Sequence, residues 1–304
     1  MKILVTGKNG QLGSELVRAF RGVAEVAAFD RQTLDLADIG QLRSLIRAQA
    51  PDVIINAAAY TAVDRAETEQ AAAHAINAQA PAVMAEEASA LGAALIHYST
   101  DYVFDGRKAG PYLETDPTDP QSVYGKTKLA GEQAIAAATD KFWIWRTSWV
   151  YGVHGGNFLK TMLRLASERT SLRVVADQFG APTFARAIAE ATRDALMAGD
   201  NAGTPARVAD TAGIYHFTGG GRTNWHGYAQ YVIERAAEAG QPLNIKAADI
   251  EAIPASAYPV PAPRPSNSCL SLEKFTQTFG LPIAAWQDDV DRCLAELFAH
   301  HDQA

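Results

Sequence analysis

The sequence is poor in cysteine. Cys269 and Cys293 are the only two in 304 residues. Two thiols make no disulfide framework, and no C-x-x-C spacing exists for zinc or redox work. No run of 18 or more apolar residues occurs, so the sequence offers no helical membrane span. The opening run Ile3-Leu4-Val5 is too short for the core of a secretory signal and breaks at Gly7. Positive charge is in deficit. Against 34 Asp and Glu stand 27 Lys and Arg, a net charge of −7. That argues against nucleic-acid binding, which needs clustered basic residues. It leaves room for an anionic small ligand in a locally positive pocket. Internal repeats and low-complexity tails are missing too. The expectation is a soluble, cytoplasmic protein with neither nucleic acid nor membrane as a partner.

What is present is ordinary globular composition, 48% hydrophobic and 20% charged, with 23 Gly and 14 Pro. The length suits about two domains. In the first half, strand and helix patterns alternate. Strands are expected at Lys2 to Thr6, Glu25 to Phe29, Val53 to Ile55, Ala94 to Tyr98 and Phe142 to Trp145. Helices are expected at Gln11 to Arg21, at Asp38 to Gln49 with Asp38 as N-cap, and at Thr68 to Leu91. This alternation calls for a parallel sheet covered on both faces, with ligands outside the carboxyl ends of its strands. The second half is less regular. Helical spacing recurs at Asn157 to Ser167, Phe184 to Met197, Trp225 to Ala239 and Leu272 to Phe279, with a strand at Ile214 to Phe217. Ile253 to Pro265 reads as an ordered, proline-rich loop. The tail His300 to Ala304 reads as frayed, its histidines solvated.

Gly7-Lys8-Asn9-Gly10-Gln11-Leu12-Gly13 follows the first strand and opens the first helix. The first glycine allows a sharp turn, the second lets backbone approach a pyrophosphate, and the third lets the helix pack on the sheet. The N–H groups and dipole of the helix start then face the phosphates. With an acid ending the second strand, this spacing indicates dinucleotide binding. Asp30 suits the adenosine ribose hydroxyls of NADH, whereas Arg31 suits the 2′-phosphate of NADPH. The two pull in opposite directions, and either cofactor is expected. Asp35 and Leu36 border the adenine. Ala58, Ala59 and Tyr60, after the third strand, leave room for the middle of the cofactor. The fold class is therefore α/β: a Rossmann-type doubly wound parallel sheet with a smaller substrate-binding α/β lobe. Residues 1–150 are the dinucleotide-binding domain, with a return segment near 177–212. Residues 151–304 are mainly the substrate lobe, with interleaved boundaries.

Ser99-Thr100-Asp101 ends the strand that begins at Ala94. Tyr124 and Lys128, four apart, share one helix face. A phenol, an ammonium and a hydroxyl make a carbonyl-reducing set: Tyr124 supplies the proton, Lys128 strengthens Tyr124 as an acid, and Thr100 holds the substrate oxygen. A charge ~4 Å away at an effective dielectric near 20 is worth about 4 kcal/mol, roughly three pKa units. That would bring the phenol near neutrality, where general acid catalysis works best. Y-x-x-x-K alone is common on exposed helices; behind a dinucleotide loop and a strand-end Ser-Thr it gains meaning.

Together G-x-x-G-x-x-G, N-A-A-A, S-T-D-Y-V-F-D-G and Y-G-K-T-K resemble the extended short-chain dehydrogenase/reductase family. The stretches Ile54 to Asp64, His97 to Gly106, Val123 to Glu132, Arg146 to Tyr151, Asp177 to Thr183 and Arg264 to Ser268 resemble its dTDP-4-dehydrorhamnose reductase branch. The resemblance runs through nearly the whole chain. It implies a dTDP-sugar substrate, dTDP-4-dehydro-L-rhamnose, reduced at C4 by NADPH or NADH in the last step of dTDP-rhamnose biosynthesis, with polysaccharides as the destination. It implies that Lys128 also bonds the nicotinamide ribose, that Thr100 and Asp101 touch the sugar, and that Tyr98 lies beside the cofactor. Trp149, after a strand end, would form an apolar wall against the deoxysugar. Asn157 would begin a helix under the sugar nucleotide. Arg264, set between Pro263 and Pro265, would meet the pyrophosphate or thymidine. His154, His216 and His226 lack ligand spacing and read as structural.

Some members of that branch form a homodimer through Mg2+ held by carboxylates. Here Arg186 stands near the place where a carboxylate is expected, and Glu190 follows one turn later. Arg186 speaks against the metal and against that mode of dimerisation. Two other readings stay open: a nucleotide-sugar epimerase or dehydratase of the same fold, and a non-catalytic regulatory subunit. Thr100 is followed by Asp101 and Tyr102, so the acid pair of a dehydratase is incomplete. The intact Thr100, Tyr124 and Lys128 set argues against loss of catalysis. A hydrolase is disfavoured because Ser99 and Ser148 lack a G-x-S-x-G elbow.

Overall fold

A computed structural model describes residues 1–198 and 204–301. Its centre is a six-stranded sheet in the order β10-β5-β4-β3-β1-β2. The strands are β1 (Lys2–Thr6), β2 (Glu25–Phe29), β3 (Val53–Asn56), β4 (Ala94–Thr100), β5 (Phe142–Thr147) and β10 (Gly213–His216). Every pairing among them is parallel. The expected fold class is observed. β10 brings a strand from the second half of the chain to the edge of this sheet.

Period-two alternation explains the two layers. Ile3, Val5, Val53, Ile55, Ile96, Tyr98, Trp143 and Trp145 point to one face. They pack on α1 (Gln11–Ala19), α8 (Ala185–Met197) and α11 (Glu273–Phe279). Leu4, Ile54, Leu95 and Ile144 point to the other. There they meet α2 (Ile39–Gln49), α5 (Ala80–Leu91) and α6 (Val123–Ala138). Each such fully buried aliphatic side chain contributes about 1.5–3 kcal/mol of transfer free energy. The alternation also fixes polar residues: His97 must face α6, while Tyr98 must face α8.

The stretch expected as one helix from Thr68 to Leu91 is divided. After α3 (Val63–Ala66), α4 (Gln70–His74) leads into a π turn at Ala75–Gln79 and then α5. The inserted turn buries Asn77, whose amide clamps both backbone groups of Tyr60. Asp38 caps α2 as expected, accepting from the Gln41 N–H.

The second lobe has its own core. It is built from α7 (Phe158–Glu168), α10 (Trp225–Glu238) and α12 (Trp286–His301) around β7 (Leu172–Val175) and β12 (Ile250–Ile253). Short pairs join β6 (Val150–Tyr151) to β9 (Thr183–Phe184) and β8 (Phe179–Gly180) to β11 (Thr223–Asn224). α9 (Thr204–Asp210) precedes β10. α12 has no counterpart in the sequence reading; its Asp-rich first turn hides the apolar stripe of Trp286, Val290, Cys293 and Leu294. The side chains of His300 and His301, and residues 302–304, lie outside the described residues, and with them the reading of the tail. Among the described residues no helix is long and apolar enough to cross a membrane.

Candidate active site

The glycine loop sits at the carboxyl end of β1. Gly7 has φ +75°, and a Cβ on Gly13 would stand 2.0 Å from the Gly7 carbonyl oxygen. A side chain at position 13 would keep α1 from beginning so close to the strand. Gly10 caps α1 with no side-chain bond, so the N–H groups of Gln11, Leu12 and Gly13 lie at an N-terminus no side chain blocks. Ala58 lies against Gly7. The loop therefore fits the pyrophosphate of a dinucleotide.

At the end of β2, Asp30 accepts from the backbone N–H groups of Gln32 and Thr33 and from Asn9 Nδ2 (2.9 Å). Lys8 Nζ lies 3.4 Å away. Thr33 first, then Lys8, holds the Asp30 carboxyl down at about 2. Arg31 is exposed beside it. Asp35 is exposed and turns back on the Ala37 N–H, while Leu36 is buried in the core. Ala59 and Tyr60 are half-buried, and the Tyr60 hydroxyl donates to Glu69 (2.5 Å).

The helix with the proposed chemistry is placed by tight packing. Ser122 caps α6, accepting from the Gly125 N–H. A Cβ on Gly125 would lie 2.2 Å from the Tyr102 carbonyl oxygen, so glycine lets α6 touch the turn after β4. A buried ion pair, Arg146 to Glu132 at 2.6 Å, ties β5 to α6. Thr100, at the end of β4, donates to Asp101 (3.0 Å) and accepts from the Tyr102 N–H. Thr100 also makes a side-chain hydrogen bond with Tyr124. Tyr102 packs edge-on against Tyr124. Thr100, Asp101 and Tyr124 thus converge, with Lys128 one turn further along α6.

One expectation is corrected here. Lys128 was to make Tyr124 more acidic, but burial pushes the Tyr124 phenol up to about 12, only partly offset by the Thr100 bond. Lys128 Nζ instead lies 2.7 Å from the Tyr98 carbonyl oxygen and 3.0 Å from His97 Nε2. Burial brings Lys128 down to about 8. Burial raises Asp101 to about 6. The Tyr98 side chain enters the opposite core face and bonds Thr192 (2.8 Å).

The remaining residues are spread along the junction of the lobes. Asn157 caps α7 and its Nδ2 donates to Gln11 Oε1 (2.9 Å), joining the glycine loop to the second lobe. Trp149 has φ +50°, unusual for a bulky residue, and stacks on Trp225. Arg264 pairs with Asp64 at 2.8 Å, and its Nη1 is buried without a partner among the described residues. It lines a cavity of about 300 Å3 with Tyr102, Phe104, Arg107, Ser122 and Ser266. His216 is buried and His226 bonds the Ile250 carbonyl oxygen. Sequence reasoning missed Asn56, His97, Asn77, Asp64 and Trp225. The signal for His97 was there: a polar residue in an apolar strand, in phase with the face that meets α6.

A bound metal does not fit the carboxylates near Arg186. Glu15 is buried and paired with Arg18 and Arg186; Arg186 also pairs with Glu296. Glu190 and Asp289 pair with Arg292. Guanidinium groups already hold the positive charge that a cation would bring. Among the described residues no cluster of three His, Cys, Asp or Glu is placed to hold a metal.

Comparison with known proteins agrees with this geometry. A family model described as the RmlD substrate binding domain matches residues 1–299. The dTDP-4-dehydrorhamnose reductase of Burkholderia thailandensis is 46% identical over 301 residues, covering 98% of this chain and 100% of the relative. The crystal structure of a dTDP-4-dehydrorhamnose reductase from Clostridium acetobutylicum superposes with TM-score 0.88 at 34% identity, over 98% of this chain and 100% of that one. The Bacillus anthracis dTDP-4-dehydrorhamnose reductase, solved with NADP, gives TM-score 0.86 at 32% identity, over 97% of this chain and 99% of that one.

Proposed function

The chain belongs to the RmlD substrate binding domain family, and on that premise we propose how its own residues carry out the reaction. The enzyme is an NAD(P)H-dependent oxidoreductase that reduces the C4 keto group of dTDP-4-dehydro-L-rhamnose to dTDP-L-rhamnose. One observation carries the assignment of roles: Thr100 at the end of β4 bonds Tyr124, and Lys128, one turn further along α6, reaches back to β4 at the Tyr98 carbonyl oxygen.

The reduced nicotinamide supplies the hydride. Gly7, Gly10, Gln11, Leu12 and Gly13 hold the pyrophosphate, and Asp30 and Arg31 face the adenosine ribose. Asp35, Leu36, Ala58, Ala59, Tyr60 and Tyr98 border the rest of the cofactor. Thr100 bonds the C4 oxygen, and Tyr124 gives it a proton; a positioned acid of this kind contributes about 10²–10⁴ in rate. Lys128 bonds the nicotinamide ribose and refills Tyr124. Asp101, Trp149 and Asn157 hold the deoxysugar. Arg264 meets the pyrophosphate or thymidine, for which its unpartnered Nη1 is available. In this reading residues 1–150, with a return near 177–212, bind the cofactor, and 151–304 mainly bind the sugar. The reaction runs in the cytoplasm.

The test follows absorbance loss of NADPH, then NADH, with dTDP-4-dehydrorhamnose generated in situ. Stoichiometric oxidation with dTDP-L-rhamnose as product is expected. No oxidation, with tightly retained cofactor, would point instead to an epimerase.

A further inference from the structure

Beneath the active site, a chain of buried polar groups to which the reaction so far gives no role leads up to Lys128. Thr6 Oγ1 donates to Asn56 Oδ1 (2.7 Å). The Asn56 amide nitrogen lies 3.0 Å from His97 Nδ1. On the other side of the ring, His97 Nε2 lies 3.0 Å from Lys128 Nζ. Thr6, Asn56, His97 and Lys128 are each 1% exposed. Groups this deeply buried find their partners among one another, so every donor here needs an acceptor.

The orientation of Asn56 settles the order. Its Oδ1 accepts from Thr6 and from the Ala58 backbone N–H (3.3 Å). A backbone N–H can only donate, so the oxygen must face Ala58 and the NH2 must face His97. His97 Nδ1 is then the acceptor. A neutral imidazole has one N–H, which must sit on Nε2 and point at Lys128. That bond is satisfied by the lone pair of a neutral amine. An ammonium would set two donors face to face. Burial, then the nearby Lys128, keeps His97 itself neutral.

We propose that His97, oriented by Asn56, is a positioning residue of the reduction: its Nε2–H bonds the Lys128 amine and so makes the Lys128 proton available to Tyr124. The proposal rests on the reductase reading. Each turnover breaks the Tyr124 O–H as its proton passes to the C4 oxygen. An N–H of the Lys128 ammonium then breaks as the Tyr124 O–H reforms. The amine left behind accepts the His97 Nε2–H until solvent returns a proton. Other groups facing Lys128 are few. On α6 they are Tyr124 and Glu132, the latter neutralised by Arg146 of β5. From β4 come His97 and the Tyr98 carbonyl oxygen.

Two measurements test it. The first is 15N NMR of the histidines in the full chain, with His97→Gln used to assign His97. A proton on Nε2 and none on Nδ1 is expected; a proton on Nδ1 overturns the proposal, whatever the enzyme's activity. The second is the pH profile of kcat/KM. In His97→Leu the basic limb should move up by about one pH unit, because the amine loses its donor. In His97→Gln, whose amide keeps a donor there, the limb should stay at its wild-type position. Asn56→Ser, which frees the tautomer, should move it upward and serves if His97→Leu does not fold. A uniform loss of rate with an unmoved limb overturns the proposal. No turnover in the wild-type protein would overturn the reductase reading and leave the NMR result standing.

Discussion

Trp149 and Trp225 stack with ring centroids 3.7 Å apart and planes 17° apart. Trp149 sits at φ +50°, where a bulky side chain is strained. The stack holds it there, and Gly180 makes the room: a Cβ at 180 would lie 2.8 Å from the Trp149 ring. Gly180→Ala should therefore displace Trp149. KM for the sugar nucleotide should rise about tenfold, while cofactor affinity, read by fluorescence titration, stays unchanged. An equal loss of both would show that Trp149 does not serve the sugar alone.

Tyr124→Phe keeps the ring that packs on Tyr102 and removes the proton. Turnover should fall by about 10²–10⁴ with cofactor binding intact. Near-normal turnover would mean that another group delivers the proton.

Asp30 should set cofactor choice. Asp30→Ala removes the acceptor for ribose hydroxyls and frees Lys8 and Arg31 to meet a 2′-phosphate. Affinity for NADH should drop about tenfold, and affinity for NADPH should fall less. Titrations showing equal losses would refute this role.

Asp101 links stability to pH. Its carboxyl is raised by burial from 3.8 to about 6 in the folded chain. The folded state thus binds that proton more tightly than the unfolded chain does, so stability falls as pH rises from about 4 to about 6. Above that range the ionised, buried group carries its full cost. Asp101→Asn should be more stable than wild type by about 2 kcal/mol at pH 8 and near equal at pH 4, while losing sugar affinity. Denaturant melts at the two pH values decide it.

Arg186 should be structural. Arg186→Ala leaves the buried Glu15 with Arg18 alone and should cost about 2 kcal/mol. A chelator should leave the Tm of the wild-type protein where it is. A drop in Tm on chelation, restored by Mg2+, would show that a cation is bound after all.

Much of this was legible in the sequence because it is local. The period-two pattern of β1, β3, β4 and β5 fixes which residue faces which layer. Three glycines spaced by three, directly after a strand, fix a cofactor loop. Tyr124 and Lys128 share a face by helix geometry alone. What the chain could not declare was the partner each group finds across the fold. The spacing of Tyr124 and Lys128 predicts a phenol brought toward neutrality, yet burial raises it, and Lys128 Nζ reaches His97 and the Tyr98 carbonyl oxygen, because β4 turns His97 toward α6. Arg264 meets Asp64 two hundred positions away. The arginines that hold Glu15, Arg18 and Arg186, come from two helices. Sequence determined the elements, their faces and the chemistry they carry. Tertiary structure decided the protonation and the pairing, because burial and contact between distant segments set which charge survives away from water and which neighbour satisfies it.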